Sequence, residues 1–268
     1  MVVGSRTEGA APPLIPRSLW LIRHGQSAGN VARDHAEQQG LHTIELTGRD
    51  IDVPLSALGE RQSLALGRYI GALPAEQAPT VVMSSPYTRA LQTAELLVGA
   101  AGLKRPRLAF VVDERLREKE FGSLNRFTKL GISSRFPEEA LRREEVGKFY
   151  YRPPGGESWC DVLLRLRGVL DHVQLQYAGE RVLIVAHQVI VLCFRYLLEE
   201  LDEQRIMTID READVANCAI TSFEAALGSD GRTRLVLQQY NFVAPLEQAG
   251  EPVTTQPETP APAEAPRR

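Results

Sequence analysis

Three short, unbroken apolar runs constrain the fold of this chain more than anything else in it. They are Ser18 to Ile22, Thr80 to Ser84, and Arg181 to Ala186, which holds Val-Leu-Ile-Val. Such short runs, bounded by polar residues, suit strands covered on both faces. Helical patterns lie between them. One spans Ala57 to about Leu73, capped by Ser56. Another runs to about Gly99 from Ser85-Pro86, with Ser85 as cap and Pro86 at the first helical position. A third covers Ser158 to Tyr177, where Val162, Leu166, Val169, Leu170 and Val173 share a face. Leu108 to Val112 is a further strand, Val189 to Glu200 a further helix, and Ala219 to Ala225 and Arg234 to Gln239 are late strands. This alternation predicts an α/β domain with a largely parallel sheet and helices on both faces.

In sheets of that kind ligands sit beyond the carboxyl ends of the strands. Three exits here carry polar groups. Arg23-His24-Gly25 follows the first run, Ser84-Ser85 and then Arg89 follow the second, and His187 follows Val-Leu-Ile-Val. They are far apart in sequence, yet the topology directs them to one pocket. A neutral His24 is a nucleophile suited to phosphorus. Arg23 and Arg89 are fixed cations that can clamp phosphoryl oxygens, and His187 can donate to the same oxygens. An alkoxide leaves poorly without a proton, so a donor is needed. Glu118, in Leu116-Arg117-Glu118-Lys119-Glu120-Phe121-Gly122, is the candidate, with Glu114 and Glu120 as competitors.

These parts resemble the histidine phosphatase superfamily, which includes cofactor-dependent phosphoglycerate mutases and the fructose-2,6-bisphosphatase domain. Five segments match in order: Leu21 to Asn30, Asp52 to Gly59, Ser84 to Ala94, Leu116 to Gly122, and Ile184 to His187. The resemblance spans roughly Leu19 to Phe242. It implies a three-layer α/β/α sandwich and a phosphohistidine at His24. It assigns phosphate binding to Arg23, Arg89 and His187, the proton donor to Glu118, and substrate contacts to Ser27 and Asn30. Gln188 replaces the glycine that commonly follows the second histidine, and a glutamine there resembles the fructose-2,6-bisphosphatase branch. Thr47-Gly48 is similar to a mutase substrate-binding stretch, although Arg49 replaces the usual aromatic. The segment Asn125 to Tyr151 does not match the mutases' substrate-binding arginine pair. It is expected to form a lid whose Arg126, Lys129, Arg135, Arg142, Arg143, Lys148 and Arg152 are selectivity candidates, or else a solvated charged helix. Ser158 is read first as a helix cap.

The remaining features set boundaries. The chain has 268 residues and a net charge of -3, so no global field favours nucleic acid. No apolar run approaches the ~18 residues of a membrane span, and no leader pattern precedes the domain, so the expectation is cytoplasmic. Cys160, Cys193 and Cys218 show no disulfide or metal spacing and are read as structural. His35, His42 and His172 are read as surface or packing residues. No metal and no cofactor is expected. The expected partner is a small phosphorylated substrate; oligomeric state is left open, a homodimer included. Residues 1–16 are expected to be a flexible arm, 17–243 the domain, and the proline-rich 244–268 a disordered tail. The function expected is metal-independent hydrolysis of small phosphomonoesters. A phosphoglycerate mutase is the alternative, and a non-catalytic phosphate-binding protein a third reading.

Overall fold

The computed structural model describes residues 15–104 and 108–255. The first apolar run forms β1 (Ser18–Arg23), followed by α1 (Ala28–Gln38) and α2 (Ala57–Gly71). The second forms β2 (Val81–Ser84), with α3 (Thr88–Ala100) and β3 (Ala109–Val112) after it. The lid segment contains α4 (Lys129–Arg135) and α5 (Pro137–Val146). Then come α6 (Trp159–Gln176), β4 (Arg181–Ala186), α7 (Gln188–Leu198) and α8 (Glu203–Glu212). The chain continues through β5 (Ile220–Leu227), β6 (Thr233–Phe242) and α9 (Ala244–Gln248).

The six strands form one sheet in the order β3-β2-β4-β1-β5-β6. The first four are parallel; β5 and β6 are antiparallel additions at one edge. Side chains on successive strand residues point to opposite faces, and the core divides accordingly. Leu19, Leu21, Met83, Val182 and Ile184 pack on one face beneath α6, α7 and α8. Ile22, Val82, Leu183 and Val185 pack on the other, with α2, α3 and Leu246 of α9. The result is the three-layer α/β/α arrangement. Sheet register brings the polar exits together: Arg23 pairs with Ala186, and Ser84 with Val185.

Caps behave as expected at two helices and not at a third. Ser56 accepts the Gly59 amide at the start of α2, and Ser158 forms a capping box with Asp161 at α6. Ser85 does not cap α3. Tyr87 holds the cap position without a side-chain bond, and Pro86 lies outside the helix. The Ser85 hydroxyl is drawn instead to His187, at 2.8 Å.

The tail boundary also differs from the expectation. Residues 244–255 are part of the packed domain. Leu246 is 0% exposed, Gln62 donates to the Pro252 carbonyl at 2.8 Å, and Arg61 pairs with Glu251. One well-placed leucine and a few backbone bonds are enough to fix this stretch, which the proline content alone disguises. Residues 256–268 of the expected tail, and 1–14 of the expected arm, lie outside the described residues. Ile15 packs against the core and accepts the Gly179 amide.

Candidate active site

His24 leaves the end of β1 and is completely buried. Its backbone is fixed on both sides. The amide donates to Ala186 at 2.9 Å, and the carbonyl accepts from the Asn217 side chain at 2.9 Å. Nδ1 lies 2.6 Å from the Gly25 carbonyl, which can only accept, so Nδ1 carries the proton. Nε2 accepts from Arg89 Nε at 3.2 Å. The ring is therefore neutral, with the Nε2 lone pair turned toward the arginine. Gly25 must be glycine for this placement: a Cβ there would lie 2.5 Å from the Gly59 carbonyl.

Arg89, His187 and Glu118 gather at this ring, whereas Arg23, Ser27 and Asn30 are placed by other contacts. The His187 ring stands edge-on to His24 with centroids 5.2 Å apart. Glu118 is 3% exposed and places Oε2 3.9 Å from His187 Nδ1, while Oε1 accepts the Lys119 amide at 2.6 Å. Arg23 is fully buried, with Nη1 on the Val215 carbonyl at 2.5 Å. Ser27 and Asn30 close the capping box of α1 and line the cleft. This cleft, about 50 Å³, is also bounded by Arg89, Glu118 and Phe121. A wider groove of about 600 Å³ adjoins it, and Asp50, Asn125 and Arg126 line both.

The competitors for the acid role separate by position. Glu114 is exposed and lines only the wider groove. Glu120 accepts from the Tyr87 hydroxyl at 3.0 Å. Burial, with Glu120 and Asp50 nearby, holds that phenol well above its ordinary pKa, against Arg89. Only Glu118 of the three also contacts His187. Glu157 braces the loop. It accepts from Arg117 at 2.7 Å, from Arg165 at 3.0 Å and from the Glu120 amide at 3.1 Å. Gly122, at φ 52, permits a contact with Pro154 that a Cβ would block at 2.1 Å.

Other expected residues sit differently. Gly48 lines the groove, but Thr47 is exposed and borders neither cavity. Gln188 is buried and donates to Asp214 at 2.6 Å. Among the lid cations, Arg126 is the one at the cleft. Its backbone is left-handed, φ 65, and its guanidinium holds the Leu46 carbonyl at 2.7 Å and the Gly48 carbonyl as well. Lys148 and Arg152 pair with Asp210 and Asp161, and α5 buries no residue, as a solvated charged helix would. His35 is exposed, and His172 meets Tyr177 edge-on. Burial pushes the Cys218 thiol up to about 12 and raises Cys193 and Cys160 too, which makes them poor nucleophiles. Among the described residues no three His, Cys, Asp or Glu side chains are grouped to hold a metal, and no helix is long and apolar enough to cross a membrane.

Two contacts at the centre have no signal in the sequence. Asp50 places its carboxylate on the Arg89 guanidinium, 3.3 Å from both Nη1 and Nη2, and its carbonyl 2.9 Å from Nη1. Asn217, which fixes the His24 carbonyl, is itself held by the Thr254 hydroxyl at 2.9 Å and its amide by the Thr254 carbonyl.

Known proteins are similar to this chain in sequence and fold. Residues 19–238 match the histidine phosphatase superfamily (branch 1). The chain is 30% identical over 205 residues to a probable phosphoglycerate mutase GpmB of Yersinia enterocolitica, covering 76% of this chain and 82% of that one. It is 30% identical over 208 residues to the 2,3-bisphosphoglycerate-dependent phosphoglycerate mutase 2 of Gloeobacter violaceus, covering 77% and 84%. A structure of the mycobacterial glucosyl-3-phosphoglycerate phosphatase with VO3 superimposes with a TM-score of 0.63 at 26% identity, covering 84% of this chain and 99% of that one. The chain belongs to the histidine phosphatase superfamily.

Proposed function

We propose that this protein hydrolyses small phosphomonoesters through a phosphohistidine at His24. The observation that carries the reading is the fixed neutral tautomer. Nδ1–H is committed to the Gly25 carbonyl, and Nε2 faces Arg89 within a group that also holds His187 and Glu118. The Nε2 lone pair forms the bond to phosphorus, and the bond from phosphorus to the leaving oxygen breaks. Arg23, Arg89 and His187 take the charge on the non-bridging oxygens. Glu118, protonated at the start, gives its proton to the leaving oxygen. Water then attacks phosphorus, Glu118 recovers a proton from it, and the N–P bond breaks, releasing phosphate and restoring His24.

Phosphate must enter where Asp50 now occupies the outer edge of Arg89, so substrate binding displaces one carboxylate with another anion. The adjoining groove, edged by Arg126 and Asn125, takes the leaving group. The reading places the enzyme in the cytoplasm, a compartment compatible with three free cysteines. Release of phosphate from a panel of phosphomonoesters, without added divalent metal and with His24→Ala alongside, tests it. Release that persists in the variant removes His24 from the chemistry.

A second reading, phosphoglycerate mutation, is favoured by the names of the two bacterial relatives and by Gly48 at the groove. A mutase returns the phosphoryl group to a second hydroxyl and keeps water from it. Conversion of 3-phosphoglycerate to 2-phosphoglycerate faster than phosphate release, in the presence of 2,3-bisphosphoglycerate, would establish that reading instead.

A further inference from the structure

Residues 117–121 carry the proposed proton donor, yet they belong to no helix or strand. Glu118 is tied to its own loop, because Oε1 accepts the Lys119 amide at 2.6 Å. Where the loop lies therefore decides where the carboxyl lies. Several of the contacts that set the loop converge on one arginine of α6. Arg165 donates through Nη1 to the Arg115 carbonyl and through Nη2 to the Glu118 carbonyl at 3.3 Å. Its Nε and Nη2 also hold the Glu157 carboxylate, at 3.0 Å and 3.1 Å. Glu157 passes that hold on to the next residue but one. Its carboxylate accepts the Glu120 amide at 3.1 Å, and its own amide donates to the Glu120 carbonyl at 2.9 Å.

The support behind Arg165 is rigid. Val162 and Leu166, on either side of it in α6, are completely buried, and the capping box of Ser158 and Asp161 opens the helix directly after Glu157. The Arg165 side chain is 10% exposed and that of Glu157 13%, so water competes little for these bonds. Burial alone would raise the Glu157 carboxyl, but hydrogen bonding to Arg165 leads the contacts that hold it below its ordinary value. Arg117 reaches the same carboxylate at 2.7 Å, but it belongs to the loop and cannot anchor it from outside. The ion pair uses two of the donors of the Arg165 guanidinium. Two more go to the carbonyls of Arg115 and Glu118, an arrangement that only a planar fork of several donors can make.

We infer that Arg165 is a positioning residue for proton transfer: from α6, directly and through Glu157, it fixes the place of the Glu118 carboxyl beside His187. The inference rests on the reading of Glu118 as proton donor. Arg165 touches neither the phosphoryl group nor the leaving oxygen; it acts through the loop. Its loss should therefore resemble a partial loss of the acid, graded by how much the leaving group needs a proton.

The test compares kcat/KM of the full chain and its Arg165→Lys variant on two substrates, p-nitrophenyl phosphate and the alkyl phosphate that the parent hydrolyses fastest. Lysine keeps the charge and can still meet Glu157, but it cannot fork to the two carbonyls. The alkyl phosphate is expected to lose about 10–100-fold, the cost of an acid displaced by about 1 Å, and p-nitrophenyl phosphate less than about threefold. In a Glu118→Gln chain the same substitution is expected to change alkyl phosphate hydrolysis by less than about twofold, because the group it positions is gone. Glu157→Gln, which keeps the side-chain shape, is expected to repeat the leaving-group pattern, and it decides the matter where Arg165→Lys melts below the assay temperature. Equal losses on both substrates in a folded variant, no loss on the alkyl phosphate, or a full loss that persists in the Glu118→Gln chain would overturn the inference. Equal losses in Glu118→Gln by itself would instead remove the donor, and this role of Arg165 with it.

Discussion

At the scale of single residues, the site depends on groups held by partners that leave them one thing to do. The Gly25 carbonyl fixes which His24 nitrogen keeps its lone pair, and the Lys119 amide fixes Glu118. Glu118→Gln removes the proposed proton donor, so hydrolysis of alkyl phosphates is expected to slow by about 10²–10⁴-fold. Loss on p-nitrophenyl phosphate, whose leaving group needs little protonation, is expected to be much smaller; equal losses on both would reassign the acid. Asp50 is expected to compete with phosphate for Arg89. Asp50→Ala should therefore lower the phosphate concentration needed for half-inhibition by roughly two- to fivefold, the modest size reflecting a partly exposed ion pair. An unchanged or higher value would show that Asp50 does not guard the arginine. Arg23, His24, Arg89, Glu118 and His187 were legible in the sequence because each ends or follows a strand, opens the helix after one, or sits in a recognisable loop. Asp50 and Asn217 were not. Their contacts join residues 39 and 193 positions away, and no local pattern encodes such pairings.

At the scale of elements, what matters is how closely the β1 exit approaches α2. A Cβ on Gly59 would meet the Gln26 carbonyl at 2.0 Å and the Gln26 amide nitrogen at 2.8 Å. Both obstacles are backbone and cannot rotate away. Gly59→Ala is expected to cost about 1–3 kcal/mol, with a drop of about 2–4 °C in melting temperature for each kcal/mol. Gly99→Ala is the control: nothing lies within 4 Å of its Cβ, and alanine in α3 should be neutral or stabilising by up to about 1 kcal/mol. Similar melting of the two variants would contradict the close approach. The parallel strands were legible from their unbroken apolar runs. α1 was not, because only Asn30, Arg33 and Ala36 of its residues are buried, which leaves no apolar stripe to read. α3 was found but its start misplaced: Ser85-Pro86 has the composition of a cap, and the bond to His187 overrides it.

At the scale of the whole molecule, the C-terminal stretch links α2 to His24. Thr254 holds Asn217, and Asn217 holds the His24 carbonyl. Ending the chain after Val243 removes Leu246 from the core together with the Thr254 contacts, and is expected to lower both the melting temperature and phosphate release. Ending it after Thr255 keeps every described contact and is expected to preserve both. Equal behaviour of the two truncations would show that residues 244–255 are dispensable. All these parts serve one claim, that the fold holds a neutral His24 ready to accept a phosphoryl group. The most direct measurement is rapid quenching of the full chain with a phosphate-labelled substrate, followed by mapping of the bound label. The expected result is acid-labile, base-stable phosphate on His24, absent from His24→Ala and longer-lived in Glu118→Gln. Turnover with no label on His24 at any quench time, or label on another residue, would contradict the account.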